Sequence, residues 1–297
     1  MDLDVDARSI SFFDAPGSSS MEQISNELRY SGSLTDKLDI TSGLFMYEGD
    51  VMVWDNRALR GALYAAAGSP GIYLWQSGGG LHNVEQTALF TTLDYAVSDD
   101  LSLNIGFRLT DEEKEIHLAS INRNVSVGAS PPCSVPAGTC PFDYIDNDSW
   151  KTTSPKIGFT YTAGESSMMY GYWTRVFKSG GYNLRNSVDL ATFPDASPKA
   201  DDETVETLEF GMKTDFEKGR LNGAFFNTVV DDSQRMTNIQ EPVSGVAQVV
   251  KNAGDIEYRG FEIDGVYTMT DTVTMVASLG YVPVSYTHLT LPTRSTV

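Results

Sequence analysis

The side chains able to do chemistry are few and scattered in this chain. Cys133 and Cys140 lie among Pro131, Pro132, Pro136 and Pro141. In a protein matured in an oxidising compartment, that spacing suits a loop disulfide worth roughly 2–3 kcal/mol in chain-entropy terms. Two independent thiols are the alternative. Asp143, Asp146 and Asp148 follow closely and offer oxygen ligands for Ca²⁺, but the glycine and bidentate glutamate of a calcium loop are missing. A solvated acidic loop is the simpler reading. His82 and His117, with His288 near the end, are too few for a histidine metal site, so no metal is expected. Ser77-Gly-Gly-Gly80 is followed by no Lys-Ser/Thr and no helical pattern, so it reads as an extracellular loop rather than a phosphate cradle. No Ser–His–Asp set and no isolated carboxylate pair in an apolar cleft is present. Catalysis is not expected, and neither is a cofactor.

Charge narrows the partners. Acidic residues outnumber basic ones 40 to 21, for a net charge of −19, and no basic stripe interrupts them. A nucleic-acid partner is excluded on that ground. No run approaches the ~20 apolar residues of a membrane helix, which leaves membrane strands open, since these are only half apolar.

The elements that must carry these side chains announce themselves by a period of two. Leu101, Leu103, Ile105, Phe107 and Leu109 alternate with polar residues and Gly106; so do Ile157, Phe159 and Tyr161, and Leu208, Phe210, Met212 and Phe216. Phe261, Ile263, Tyr267 and Met269 share a parity, as do Leu38, Ile40, Leu44 and Met46, and again Val273, Met275, Ala277 and Leu279. Alternate strand side chains point to opposite faces, so each segment has one apolar and one polar face. A water-soluble sandwich would show the same alternation.

Two features separate the cases. Short turns near Gly32–Lys37, Ser98–Asp100, Ala163–Ser167, Glu217–Gly219 and Thr270–Thr272 alternate with long connections near Trp54–Asn83, Ala119–Thr153, Leu184–Asp202 and Thr237–Val250. That puts tight turns on one rim and long loops on the other, as in outer-membrane barrels. Each short turn also follows an aromatic on the apolar parity: Tyr30, Tyr95, Tyr161, Phe216 and Tyr267. Rings there form the girdle at lipid headgroup level. The opposite parity carries Arg108, Lys156, Glu209, Lys213, Glu262 and Asp264 and is read as the lumen wall, with cross-strand ion pairing as their ordinary role.

The fold class is therefore an all-β, antiparallel transmembrane barrel in contact with outer-membrane lipid, in the bacterial outer membrane. About ten strands are legible, or eleven with Val5–Phe13, so the sheet is expected to be part of a larger barrel, unable to insert alone with open edges. The start carries no signal-peptide pattern. Val284 to Thr293, VSYTHLTLPT, reads as a translated frame of a transposon adapter used in preparing sequencing libraries. Residues 1–283 are assigned to the barrel and 284–297 to a non-native tail.

Several stretches resemble the barrel of TonB-dependent receptors of the siderophore type. Ile24-Ser-Asn-Glu-Leu-Arg29 with Gly43-Leu-Phe-Met46, the run Leu101 to Lys114, Ser154-Pro-Lys-Ile-Gly158 and Phe177-Lys-Ser-Gly-Gly-Tyr-Asn183 are similar to strand motifs of that family. Leu208-Glu-Phe-Gly-Met-Lys213, Asn252-Ala-Gly254 and Gly260-Phe-Glu262 continue the series in order. The resemblance implies a barrel of ~22 strands closed by a plug, and active import of a ferric siderophore or similar ligand driven by the TonB complex. No plug and no energy-coupling box is seen in this sequence, so that mechanism rests on resemblance. A passive porin and an outer-membrane barrel enzyme are the competing readings. Trp54, Tyr73, Trp75, Phe142, Tyr144 and Trp150, in or beside the long connections, are the candidate ligand contacts, with hairpin-tip packing as the bland alternative. Trp54, after Val51 and Val53, also suits an outer girdle.

Overall fold

The structure, a computed structural model, describes residues 13–14, 17–59, 72–126, 142–184, 197–241 and 245–287. In chain order the strands are β1 (Phe13–Asp14), β2 (Gly17–Thr35), β3 (Leu38–Leu59), β4 (Ile72–Ala96), β5 (Leu101–Ser126) and β6 (Phe142–Thr162). There follow β7 (Ser167–Lys178), β8 (Gly181–Tyr182), β9 (Lys199–Ala200), β10 (Glu203–Phe216) and β11 (Gly219–Asp231). The last are β12 (Gln234–Glu241), β13 (Gly245–Asn252), β14 (Asp255–Thr270), β15 (Val273–Tyr281) and β16 (Val284–Thr287).

Twelve of these form one antiparallel sheet in the order β1-β3-β4-β5-β6-β7-β10-β11-β14-β15, with β2 also paired to β3 and β16 to β14. Neighbours in sequence are neighbours in space, the meander that hairpins impose. The tight turns fall where the sequence places them. The turn between β6 and β7 needs Gly164 at φ +74°, which a glycine adopts without steric cost.

The extra strand expected near Val5–Phe13 is represented, among the described residues, only by β1. It pairs Phe13 with Leu59 and so continues the line of β2 along β3 instead of adding a strand beyond it. At the other end Val284–Thr287, assigned to the tail, pairs with Tyr258–Asp255 as β16.

The long connections need correction. Most of Trp54–Asn83 and Ala119–Thr153 is strand, with Leu59 paired to Leu74, Ile72 to Ser126 and Ser120 to Phe142. Thr237–Val250 lies largely in the separate β12–β13 hairpin. Ser77–Gly80 is accordingly strand, not loop: a Cβ at Gly79 would lie 1.9 Å from the Val53 carbonyl oxygen, so the close approach of β3 and β4 requires glycine. β5 has 26 residues, which at ~3.3 Å each span roughly 85 Å, about 60 Å once tilted by ~45°. A hydrocarbon band of ~25 Å takes less than half of that, and the sheet continues above it.

One face of the sheet is a band of uncovered apolar side chains. Ile105 (47% exposed), Phe210 (50%) and Phe225 (69%) stand in it without a second layer over them. A sandwich would bury this face, so the sandwich alternative fails. Buried side chains such as Ile116, Leu118, Trp150, Ala200 and Val249 gather instead on the outer part of the sheet and the segments folded over it.

Candidate functional site

On β5 the apolar band runs from Leu101 to Leu109, the nine-residue span a tilted membrane strand needs. Towards the short turns, Tyr30, Tyr95, Tyr161, Phe216 and Tyr267 stand on this face, each at least 40% exposed, and the Phe216 and Tyr267 rings lie 6.2 Å apart. Towards the long connections the same face turns acidic. Glu48, Glu85 and Glu113 stand directly opposite one another across β3, β4 and β5. The next row is Glu22, Asp50, Asn83 and Glu115. Trp54 shares this face beyond Asp50, opposite Gly79, and is separated from the apolar band by the acidic rows. Like charges directly opposite each other repel. Replacing Glu85 by lysine should therefore stabilise the barrel by ~0.2–1 kcal/mol, read as a shifted denaturant midpoint that salt diminishes.

The polar face carries the predicted lumen residues, but ion pairing is not what holds them. Lys156 Nζ lies 5.0 Å from the Tyr172 ring centroid and Lys213 Nζ 5.7 Å from that of Tyr170. Between them Glu209 accepts hydrogen bonds from both tyrosine hydroxyls, at 2.7 and 2.9 Å. Arg108 lies over Phe45 at 5.2 Å and donates to Thr110 and Gln86. Asp264 accepts from the Asn222 amide at 2.8 Å, and Glu262 stands on the same face, opposite Ala224 and Gly280. Aromatic rings thus replace opposite charges as partners of the cations, because β7 places Tyr170 and Tyr172 on the polar parity.

Above this wall, residues 178–184 and 197–202 lie over β4–β6 and cover the polar face. Lys114 Nζ donates to Ser179 Oγ and to the Gly180 carbonyl, both at 2.6 Å, and pairs with Glu112 at 2.8 Å. Glu112 also accepts from Ser179 and from Gln86, each at 2.7 Å. Trp150 is buried beneath: Lys114 sits 5.2 Å from its ring, and a Cβ on Gly180 would come within 2.5 Å of it. Trp150 is therefore a packing residue in an enclosed wall and not a loop aromatic open to ligand.

The acidic loop is likewise structured. Tyr144 and Tyr182 both donate to Asp146 Oδ2, at 2.9 and 3.0 Å, and Asp148 pairs with Lys199. Asp146 is thus held by two tyrosines and Asp148 by a lysine, and among the described residues no group of three His, Cys, Asp or Glu is placed to hold a metal ion. His82 packs edge-on to Tyr182 with ring centroids 6.3 Å apart. The hydrogen bond from Lys199 depresses the Asp148 carboxyl, and the same bond raises the Lys199 amine. A depressed acid stabilises above its free value of 3.8 and loses that as pH falls through its folded value. A raised amine stabilises below its free value of 10.5 and loses that as pH rises. This exposed pair, worth ~0–1 kcal/mol, should hold β9 in place between those limits. Asp148→Asn should make Lys199 acylate faster at alkaline pH, read by peptide mass mapping.

The remaining segments brace this cover. Asn252 Nδ2 donates to the Asp201 and Asp232 carbonyls at 3.0 and 2.7 Å, and Gln234 Nε2 donates to the Ser179 carbonyl at 3.0 Å. Sequence reasoning missed Glu112, Lys114, Gln86, Asp146 as a tyrosine acceptor, and Ser179–Tyr182. The available signal was opposite charge at Glu112 and Lys114 on one strand parity. Tyr73, Trp75 and Phe142 lie in strands, paired with Val125, Arg123 and Ser120, but their side chains, like that of Asp143, lie outside the description. Cys133 and Cys140 lie outside the described residues.

The family model described as TonB dependent receptor-like, beta-barrel, matches residues 4–296. Among curated proteins none matches in sequence. Among solved structures, the ferric yersiniabactin uptake receptor FyuA from Yersinia pestis is similar with a TM-score of 0.71 at 14% identity, over 93% of this chain and 37% of that one. The siderophore receptor PiuA from Acinetobacter baumannii gives 0.63 at 16%, over 92% and 39%. The copper transporter OprC gives 0.53 at 14%, over 92% and 48%. At such identities the likeness is one of fold, and the chain spans less than half of each of these proteins.

Proposed function

The chain belongs to the TonB-dependent receptor-like β-barrel family, and from that membership we propose that the protein carrying it actively imports a bulky nutrient, an iron–siderophore complex. The family is one of outer-membrane transport receptors of Gram-negative bacteria, not of enzymes. The observation that carries the reading is the family match over almost the whole chain. The similarity to a ferric yersiniabactin uptake receptor and a siderophore receptor leans it towards iron chelates. The polar face supports it too: a wall of rings and charged groups offers contacts to a large polar ligand. In this reading the TonB complex supplies energy through a plug domain, and Trp54, Tyr73, Trp75, Phe142 and Tyr144 remain candidate contacts near the mouth.

Uptake of radiolabelled ferric siderophores by cells whose only receptor carries this chain tests the proposal. Uptake should stop when the inner-membrane proton gradient is collapsed. Uptake that persists would support a passive porin instead.

A further inference from the structure

A trough crosses the apolar face on the short-turn side of mid-band. Its upper wall is a row of rings: Phe159 and Phe210 lie 6.5 Å apart over Gly171, Phe225 stands directly opposite Phe210, and Phe225 and Phe261 are 5.9 Å apart. The row below it, nearer the turns, runs Tyr161, Met169, Met212, Gly223, Ile263 in register across five strands. Gly223 makes the gap. It sits directly between Met212 and Ile263 where every neighbour in the row has a long side chain, and a Cβ there would meet nothing nearer than 3.8 Å. The glycine is thus not required by any close approach, unlike Gly171, whose Cβ would strike Phe210 at 2.6 Å. The resulting space is about 600 Å³ and lined almost wholly by apolar side chains.

We propose that this trough holds one acyl chain of a glycerophospholipid from the periplasmic leaflet. Its place in the band leaves hydrocarbon as the surrounding medium, which settles the chemistry of the occupant. Its position beside the short turns, which face the periplasm in such barrels, settles the leaflet. A flexible chain in a slot bounded by rings on one side and methionines on the other gains dispersion contacts that a smooth sheet would not give. The inference rests on the barrel reading and its orientation, but on nothing about the transported ligand.

The intact receptor, extracted in mild detergent, would be analysed by native mass spectrometry and lipid extraction. Wild type should retain phospholipid, and Gly223→Phe, which fills the gap, should retain roughly tenfold less, equivalent to ~1.4 kcal/mol. Ala277→Phe, on the same face outside the trough, should retain the wild-type amount. Heat-modifiable gel mobility reports barrel folding, and Gly223→Leu decides the matter if the phenylalanine variant fails to fold. Equal retention by wild type and a folded residue-223 variant, or no retained lipid in wild type, overturns the proposal. Retention of outer-leaflet glycolipid alone overturns the leaflet assignment and points to the opposite orientation. Because no uptake is measured, failure here is distinct from failure of the import reading.

Discussion

Replacing Phe225 with arginine should destabilise the assembled barrel by about 2–4 kcal/mol, although the residue is 69% exposed. In a water-soluble sheet, a side chain that open could become arginine at almost no cost. Here the surrounding medium is hydrocarbon, and a guanidinium near mid-band must either be desolvated or drag water and headgroups inward. Phe225→Leu keeps the surface apolar and should cost less than ~1.5 kcal/mol. Denaturant titration of the receptor in lipid vesicles, followed by tryptophan fluorescence, distinguishes the two. An arginine variant as stable as the leucine variant would remove Phe225 from the bilayer.

Lys114→Met should have an effect of similar size on the other face. It strips the cation from Glu112, which is only 7% exposed and keeps Ser179 and Gln86 as neutral partners. Leaving a buried carboxylate without its cation costs ~3–5 kcal/mol, and the lost contact with Trp150 adds to the loss of packing. The same substitution removes the Lys114 bonds to Ser179 Oγ and the Gly180 carbonyl, leaving the Ser179 hydroxyl tied by Glu112 alone, so the cover over the polar face should loosen. Trypsin should then cut after Lys178 and Lys199 in the folded receptor. Adding Glu112→Gln should recover most of the loss, because the uncompensated charge, more than the missing contact, accounts for it. Cleavage unchanged in the single variant would mean that the cover is held elsewhere, by Asn252 and Gln234.

The two experiments probe opposite sides of one sheet, and the sides were unequally legible. Alternation through Leu101–Leu109 or Leu208–Phe216 located strands, faces and tight turns, since strand geometry maps residue parity directly onto faces. Above the band that logic lapses. Both faces there are wet or covered by folded-back chain, so Asp143–Trp150 and Ser77–Asn83 carry no apolar period and read as loops although they are strands.

The same reason explains the site. That Lys156 and Lys213 belong to the polar face followed from parity; that each lies over a tyrosine of β7 did not, because register between strands is set by pairing and turn geometry. Trp150 looked like an open aromatic until Gly180, thirty positions away in sequence, proved to lie against its ring. The residues themselves determined an antiparallel sheet with one lipid-compatible face, a short-turn rim ringed with aromatics, and a family likeness. Only the tertiary structure decided which charges are enclosed, which carboxylates tyrosines satisfy, and where the apolar face is interrupted. Those depend on contacts between segments far apart in the chain, and no local period records them.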